Sequence, residues 1–207
     1  APMELGEYEI FINPSIGIAI SSDEDQKAEY LLRDAYQAVA QAKQGASGNW
    51  QLFEPDMRQQ ALHRLKLEGK LRRAMQHEEL QLHYQPIVAL SEESSDYVVV
   101  GFEALARWQS RSESKWISPG EFIPLAEETG LIVPLGDWVF ETACKQIREW
   151  NQGRSAGKEL FMSVNFSVHQ LNREQVAQHI ESIIAQTEVK PHWIKLEITE
   201  SVLMENP

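Results

Sequence analysis

The chain has 207 residues, 43% hydrophobic and 24% charged, and 31 acidic against 19 basic side chains give it a formal net charge of −12. That balance, with no Lys/Arg-rich run, argues against a nucleic-acid polymer as partner, because such affinity rests on neutralising phosphates. One cysteine, Cys144, excludes a disulfide framework and a cysteine zinc site, and no apolar run approaches the roughly 20 residues that span a bilayer. A cytoplasmic location is expected, and membrane tethering elsewhere in a longer parent protein is compatible with it.

The first strand-like run covers Glu9 to Ser21, where Ile16, Ile18 and Ile20 alternate with Gly17 and Ala19. A helix is predicted from Lys27 to Gln44, with Leu31, Leu32, Ala35, Val39 and Ala42 on one face, and the Gly-rich stretch 45–49 stops it. Trp50, Leu52 and Phe53 form a short strand closed by Glu54-Pro55. These are too few elements for an independent core, so the block reads as the tail of a larger α/β domain. A helical pattern follows from Asp56 to Glu79, carried by Leu62, Leu65, Leu71 and Met75. Gly69, which costs about 1 kcal/mol relative to Ala in a helix, marks an expected junction between two helices.

Leu80 to Val88 reads as a strand, followed by a polar hairpin loop from Ser91 to Asp96. The β-branched run Val98-Val99-Val100 predicts a strand buried on both faces. Charges then enter that strand at every second position, placing Glu103, Leu105 and Arg107 on one face and Phe102, Ala104 and Ala106 on the other. Helices are predicted over Glu121–Glu128 and Asp137–Trp150, with Asp137 as cap, and over Arg173–Thr187. Strands are predicted over Phe161–Ser167 and Ile194–Ser201. Strands separated by helices imply parallel βαβ units, whereas the pair joined by the short 91–96 loop should be antiparallel.

The strand Phe161–Ser167 carries Ser163, Asn165 and Ser167 on one face, and Ile194–Ser201 carries Lys195, Glu197 and Thr199. Glu103, Asn165 and Glu197 therefore stand late in three successive strands, each on a polar face opposite an apolar one. Active sites collect at that end of a parallel barrel. Two carboxylates and an amide oxygen form a hard-oxygen set suited to Mg²⁺ or Mn²⁺. An antiparallel sheet with one wet face produces the same alternation. No HExxH, P-loop or GxSxG pattern is present. Cys144 reads as a buried inert thiol, and Trp108, Trp138, Trp150 and Trp193 as packing residues.

These segments together resemble the EAL family of cyclic-di-GMP phosphodiesterases, named for the triplet found here as Glu103-Ala104-Leu105. The resemblance rests on Tyr84-Gln85-Pro86-Ile87-Val88, Phe102 through Trp108, Ile117 through Glu127, Ser163-Val164-Asn165-Phe166-Ser167 with Gln170-Leu171, and Leu196 through Ser201. It covers about Leu65 to Pro207. The opening block resembles the C-terminal end of a GGDEF (diguanylate cyclase) domain through Ser15-Ile16-Gly17-Ile18-Ala19, Leu32-Arg33-Asp34-Ala35, Ala42-Lys43 and Phe53 through Met57. It departs from that family at Tyr36 and Ala40, and the GGDEF signature itself is not in this sequence, so no cyclase activity is expected.

The resemblance implies an α/β chain of three parts. Residues 1–57 are a GGDEF-like fragment, 58–79 a linker helix, and 80–207 the first half of a TIM-like (β/α)8 barrel with an antiparallel first strand. It implies metal-dependent hydrolysis of cyclic di-GMP to linear pGpG, with two Mg²⁺ or Mn²⁺ ions in the complete domain. Glu103, Asn165 and Glu197 would be metal ligands; Gln85, Leu105 and Arg107 would contact the substrate, Arg107 at a phosphate oxygen. Glu200 would prop a loop near the metals. A homodimer through the EAL domain is a further implication. The family's Asp-Asp-Phe-Gly segment, a Lys and a later Glu fall beyond Pro207, so the stretch by itself is expected to be inactive. Two rivals stand beside this reading: a non-catalytic cyclic-di-GMP receptor with a degenerate EAL domain, and a glycosidase pairing Glu103 with Glu197.

Overall fold

The computed structural model describes residues 3–5, 8–10, 14–21, 27–43, 49–90, 97–111 and 113–198, and its contacts divide the chain between Lys66 and Leu67. In the first unit β1 (Met3–Leu5) pairs antiparallel with β2 (Tyr8–Ile10). The run expected as one strand from Glu9 to Ser21 is instead split between β2 and β3 (Ile16–Ile18). A helix, α1 (Ala28–Ala42), precedes β4 (Trp50–Leu52), which lies parallel to β3.

The predicted face of α1 is the one turned inward except at Leu32, which is exposed; Ala42 is buried, Leu31, Ala35 and Val39 are half-buried, and Asp34 and Ala38 are buried beside them. Gly17 of β3 lies against that face: a Cβ there would lie 2.2 Å from the Ala35 carbonyl oxygen and 2.5 Å from the Val39 nitrogen. The strand thus rests on the helix backbone, an approach that the missing Cβ of glycine admits. Asp34 is tolerated inside because Arg58 Nε donates to Oδ1 at 3.0 Å and Nη2 reaches Oδ2. These bonds hold the Asp34 carboxyl below its ordinary range, against the opposing effect of burial.

Arg58 belongs to α2 (Pro55–Gln76), which is a single helix, without the junction expected at Gly69. Gly69 faces open space, with nothing within 4 Å of a would-be Cβ, so its cost is one of propensity only. Beyond the division, Leu67, Leu71 and Ala74 are buried at four- and three-residue spacing, whereas Leu62 and Leu65 are exposed.

The second unit is built on a mixed sheet in the order β5 (Leu80–Leu90), β6 (Tyr97–Ser110), β8 (Phe161–Phe166), β9 (Ile194–Ile198). β5 and β6 form the expected antiparallel pair, with a register shift between Ile87 and Val88. β7 (Lys115–Ile117) adds antiparallel to the end of β6. Then come α3 (Pro119–Glu128), α4 (Ile132–Asn151), β8 (Phe161–Phe166), α5 (Val168–Leu171), α6 (Val176–Thr187) and β9 (Ile194–Ile198). Both β6–β8 and β8–β9 are parallel, as strands separated by helices require.

One face of this sheet makes the core. Ala104, Met162, Val164 and Phe166 are buried in one cluster with Phe140, Ala143, Cys144 and Ile147 of α4. The Phe140 and Phe166 rings meet edge to face at 5.7 Å. Burial pushes the Cys144 thiol up to about 12, consistent with an inert core residue.

Three local expectations are corrected. Val98 and Val99 are exposed, at 52% and 41%, because β8 pairs with β6 only from Gly101 to Ala104; the strand before Gly101 runs past its neighbour. Asp137 does not cap a helix but lies inside α4. There it accepts a bond from Arg173 Nη1 at 2.9 Å and sits 2.9 Å from His179 Nε2, tying α4 to the α5–α6 connection and to α6. The last helix starts at Val176 rather than Arg173, after Gln175 adopts a left-handed φ of 61°. The 91–96 loop lies outside the described residues, and no helix among those described is long and apolar enough to cross a membrane.

Candidate functional site

The opposite face of the sheet is polar, and the pairing register decides which of its side chains become neighbours. Gln85 stands opposite Glu103 across β5 and β6, Glu103 opposite Ser163 across β6 and β8, and Asn165 opposite Glu197 across β8 and β9. Adjacent strands lie about 4.8 Å apart, so residues up to 112 positions apart in sequence (Gln85 to Glu197) share one surface. The expected trio of Glu103, Asn165 and Glu197 is brought together on it.

β8 sits in the middle and donates outward in both directions. Asn165 Nδ2 donates to Glu103 Oε1 at 2.7 Å. An ionised carboxylate only accepts, so this contact fixes the amide with its nitrogen toward Glu103 and its oxygen free for another partner. On the other side the Ser163 hydroxyl donates to Glu197 Oε1. Each carboxylate is thus held by a neutral donor. Lys195, two residues from Glu197, is turned onto the Phe161 ring at 3.5 Å from its centroid, and no described cation pairs with Glu103 or Glu197.

Farther along β6, Leu105 and the half-buried Arg107 line a cavity of about 240 Å³ together with Glu127, Asn165, Ser167 and Gln170. Arg107 Nη1 donates to the Ala106 carbonyl at 2.9 Å, leaving the rest of the guanidinium fork available. The floor beyond β8 is set by a capping box: Ser167 Oγ accepts from the Gln170 backbone N–H, and Gln170 Oε1 accepts from Ser167 N–H at 3.1 Å. Gly136 permits it, since a Cβ there would lie 2.1 Å from Gln170 Nε2.

Gln85 is exposed beside Glu103, while Glu200 lies outside the described residues. Two contributors were not anticipated from sequence. Ser163 was visible on the polar face, yet its partner depends on β9; Gln170 carried the readable Ser-x-x-Gln capping signature. As a donor set, two carboxylates and one amide oxygen on three adjacent strands fit a hard divalent cation and not a soft one. Among the described residues no group of three His, Cys, Asp or Glu side chains gathers to hold a metal; the set above has two carboxylates and one amide.

A family model described as EAL domain matches residues 68–207. Cyclic di-GMP phosphodiesterase PdeR of Escherichia coli is 36% identical over 205 residues, covering 99% of this chain and 30% of that protein. The bifunctional diguanylate cyclase/cyclic di-GMP phosphodiesterase MucR of Pseudomonas aeruginosa is 34% identical over 203 residues, covering 98% and 29%. A solved structure of PaMucR phosphodiesterase in complex with c-di-GMP is 35% identical with a TM-score of 0.60, covering 68% of this chain and 54% of that one. The chain therefore spans less than a third of the length of these two curated relatives.

Proposed function

The chain belongs to the EAL domain family, and from that premise we propose that the protein carrying it hydrolyses cyclic di-GMP to linear pGpG. Glu103, Asn165 and Glu197 are the residues that would hold a divalent cation, Mg²⁺ or Mn²⁺. The observation that carries this reading is the Asn165–Glu103 bond at 2.7 Å beside a register-paired Glu197, which assembles hard oxygen donors without neutralising them. When bound, a divalent cation supplies Lewis-acid activation of water and offsets charge on the phosphodiester.

The chain's own residues supply the rest. Arg107 presents a planar fork that matches two phosphate oxygens and holds the diester in line. Leu105 joins Ile123, Ile132, Leu135 and Val139 in the apolar part of the adjoining cavity's lining, which suits a flat base. Gln85, opposite Glu103, offers an amide to the ligand, and Glu200 would steady a loop beside the carboxylates.

The wider assignment belongs to the same proposal. Residues 1–57 are the end of a GGDEF-like domain, 58–79 a linker helix, and 80–207 half of a TIM-like barrel, in a cytoplasmic protein that pairs through its EAL domain. An alignment with a bifunctional cyclase/phosphodiesterase over 98% of the chain supports that order.

The test is to incubate the full-length protein with cyclic di-GMP and Mn²⁺ and to resolve the products by chromatography. Linear pGpG is expected from the native protein, with Glu103→Gln slower by about 100-fold or more. Binding of cyclic di-GMP without any pGpG would replace this reading with that of a receptor.

A further inference from the structure

We infer that Ser163 is a positioning residue for Glu197, fixing that carboxylate for cation binding through a hydrogen bond from its buried, uncharged hydroxyl. The inference rests on the phosphodiesterase reading of the site and deepens it.

Ser163 has no accessible surface, although its neighbour on the same face, Asn165, is exposed. A hydroxyl in such a place needs a partner, since leaving one unsatisfied costs about 1–3 kcal/mol. The partner it takes is Glu197 Oε1. Register alone would set Ser163 beside Lys195, with Glu197 beside Asn165. The hydroxyl instead reaches one step along β9 to the carboxylate, and Lys195 is diverted to the Phe161 ring. Asn165 meanwhile is directed to Glu103 on the other side. The two polar side chains of β8 therefore divide the two carboxylates between them.

The choice of donor has a chemical consequence. A lysine or arginine at position 163 would also orient Glu197, but as an ion pair it would cancel the charge that attracts a cation. A serine hydroxyl orients one oxygen and leaves the carboxylate its full charge, with Oε2 open. The serine has no accessible surface of its own, so its hydroxyl is held in place for Glu197. Removing it should leave Glu197, itself exposed on β9, free to rotate among rotamers, and the loss appears as weaker cation binding. Partners that orient metal ligands in this way typically account for 10–100-fold in affinity.

The experiment is a Mn²⁺ titration of the full-length protein, read by the electron paramagnetic resonance of free Mn²⁺, for native, Ser163→Ala, Ser163→Cys and Ser110→Ala. Ser110 is a similarly buried serine at the far end of β6 and reports the generic effect of losing a buried hydroxyl. Ser163→Ala should weaken Mn²⁺ binding by about tenfold or more, and Ser110→Ala should leave it unchanged even where both lower the melting temperature. Ser163→Cys is somewhat larger and keeps a donor, though a weaker one; it should fall between native and Ala, and it carries the test if Ser163→Ala fails to fold. Native affinity in the serine-163 variants overturns the positioning role and leaves the function standing. Native protein that binds no Mn²⁺ overturns the metal site itself.

Discussion

Asn165 on β8 and Glu103 on β6, 62 residues apart in sequence, are joined by an amide-to-carboxylate hydrogen bond of 2.7 Å. The contact crosses a parallel seam whose register pairs Glu103 with Ser163, so Asn165 leans one step back along the strand to make it. Replacing Asn165 by Asp would set two carboxylates against each other where a donor stood. Asn165→Asp is expected to destabilise the metal-free protein by about 1 kcal/mol or more at pH 7.5. At pH 5 the deficit should shrink, because like charges raise the pKa of one member of such a pair, and Mn²⁺ should shrink it as well. Thermal melts at the two pH values, with and without Mn²⁺, decide the matter; a deficit independent of both would show that the amide serves packing only.

If Arg107 meets a phosphate as proposed, its substitution tests whether shape or charge is recognised. Arg107→Lys retains the positive charge but loses the planar fork. The expected outcome is a rise in KM for cyclic di-GMP of about tenfold, the equivalent of one charge-assisted hydrogen bond, with an unchanged melting temperature. Steady-state kinetics at saturating Mn²⁺ measure it, and native KM in the lysine variant would remove Arg107 from the phosphate.

Gly101 connects packing to the site. A Cβ at this position would lie 2.6 Å from the Phe161 carbonyl oxygen and 2.8 Å from its ring, at the first residue pair of the β6–β8 seam. Backbone cannot swing aside as a flexible side chain can, so Gly101→Ala must spread the two strands two residues before Glu103. A loss of about 1–3 kcal/mol in stability is expected, together with weakened Mn²⁺ binding. Urea melts and the Mn²⁺ titration on the same sample check both; lost stability with intact binding would show that the strain relaxes away from Glu103.

The first unit has its own pH signature. Asp34 has an ordinary value of 3.8 that the hydrogen bond from Arg58 lowers in the folded chain. A depressed carboxyl contributes stability that is fully present above its unfolded value and is lost as pH falls through the folded one. The native protein should therefore lose stability progressively below about pH 4 through this pair. Asp34→Asn should be less stable at pH 7 and should change less between pH 4 and pH 2. Denaturant melts across that range, followed by the fluorescence of Trp50 with the other tryptophans replaced by Phe, provide the comparison. Parallel pH profiles for the two proteins would rule the pair out as the source.

The strand alternation of β8 and β9 and the polarity of one sheet face were legible in the residues, because side chains on a strand alternate with a period of two whatever surrounds them. The antiparallel start and parallel continuation were equally legible, since connection length decides them. Motif identity points to Glu103, Asn165 and Glu197, and strand register sets them on one surface.

Other features depend on which element arrives next to which. Val98 and Val99 read as a buried run, yet they are exposed because β8 stops short of them. Asp137 read as a cap, but Arg173 and His179 draw it into a link between helices. Local pattern reports the face a side chain points to; it carries no record of the partner across the seam. For this protein the sequence by itself determined which residues carry oxygen donors and on which face of their strands. Only the tertiary structure decided that Asn165 serves Glu103 and Ser163 serves Glu197, because register between strands is set by packing over distances that no local pattern contains.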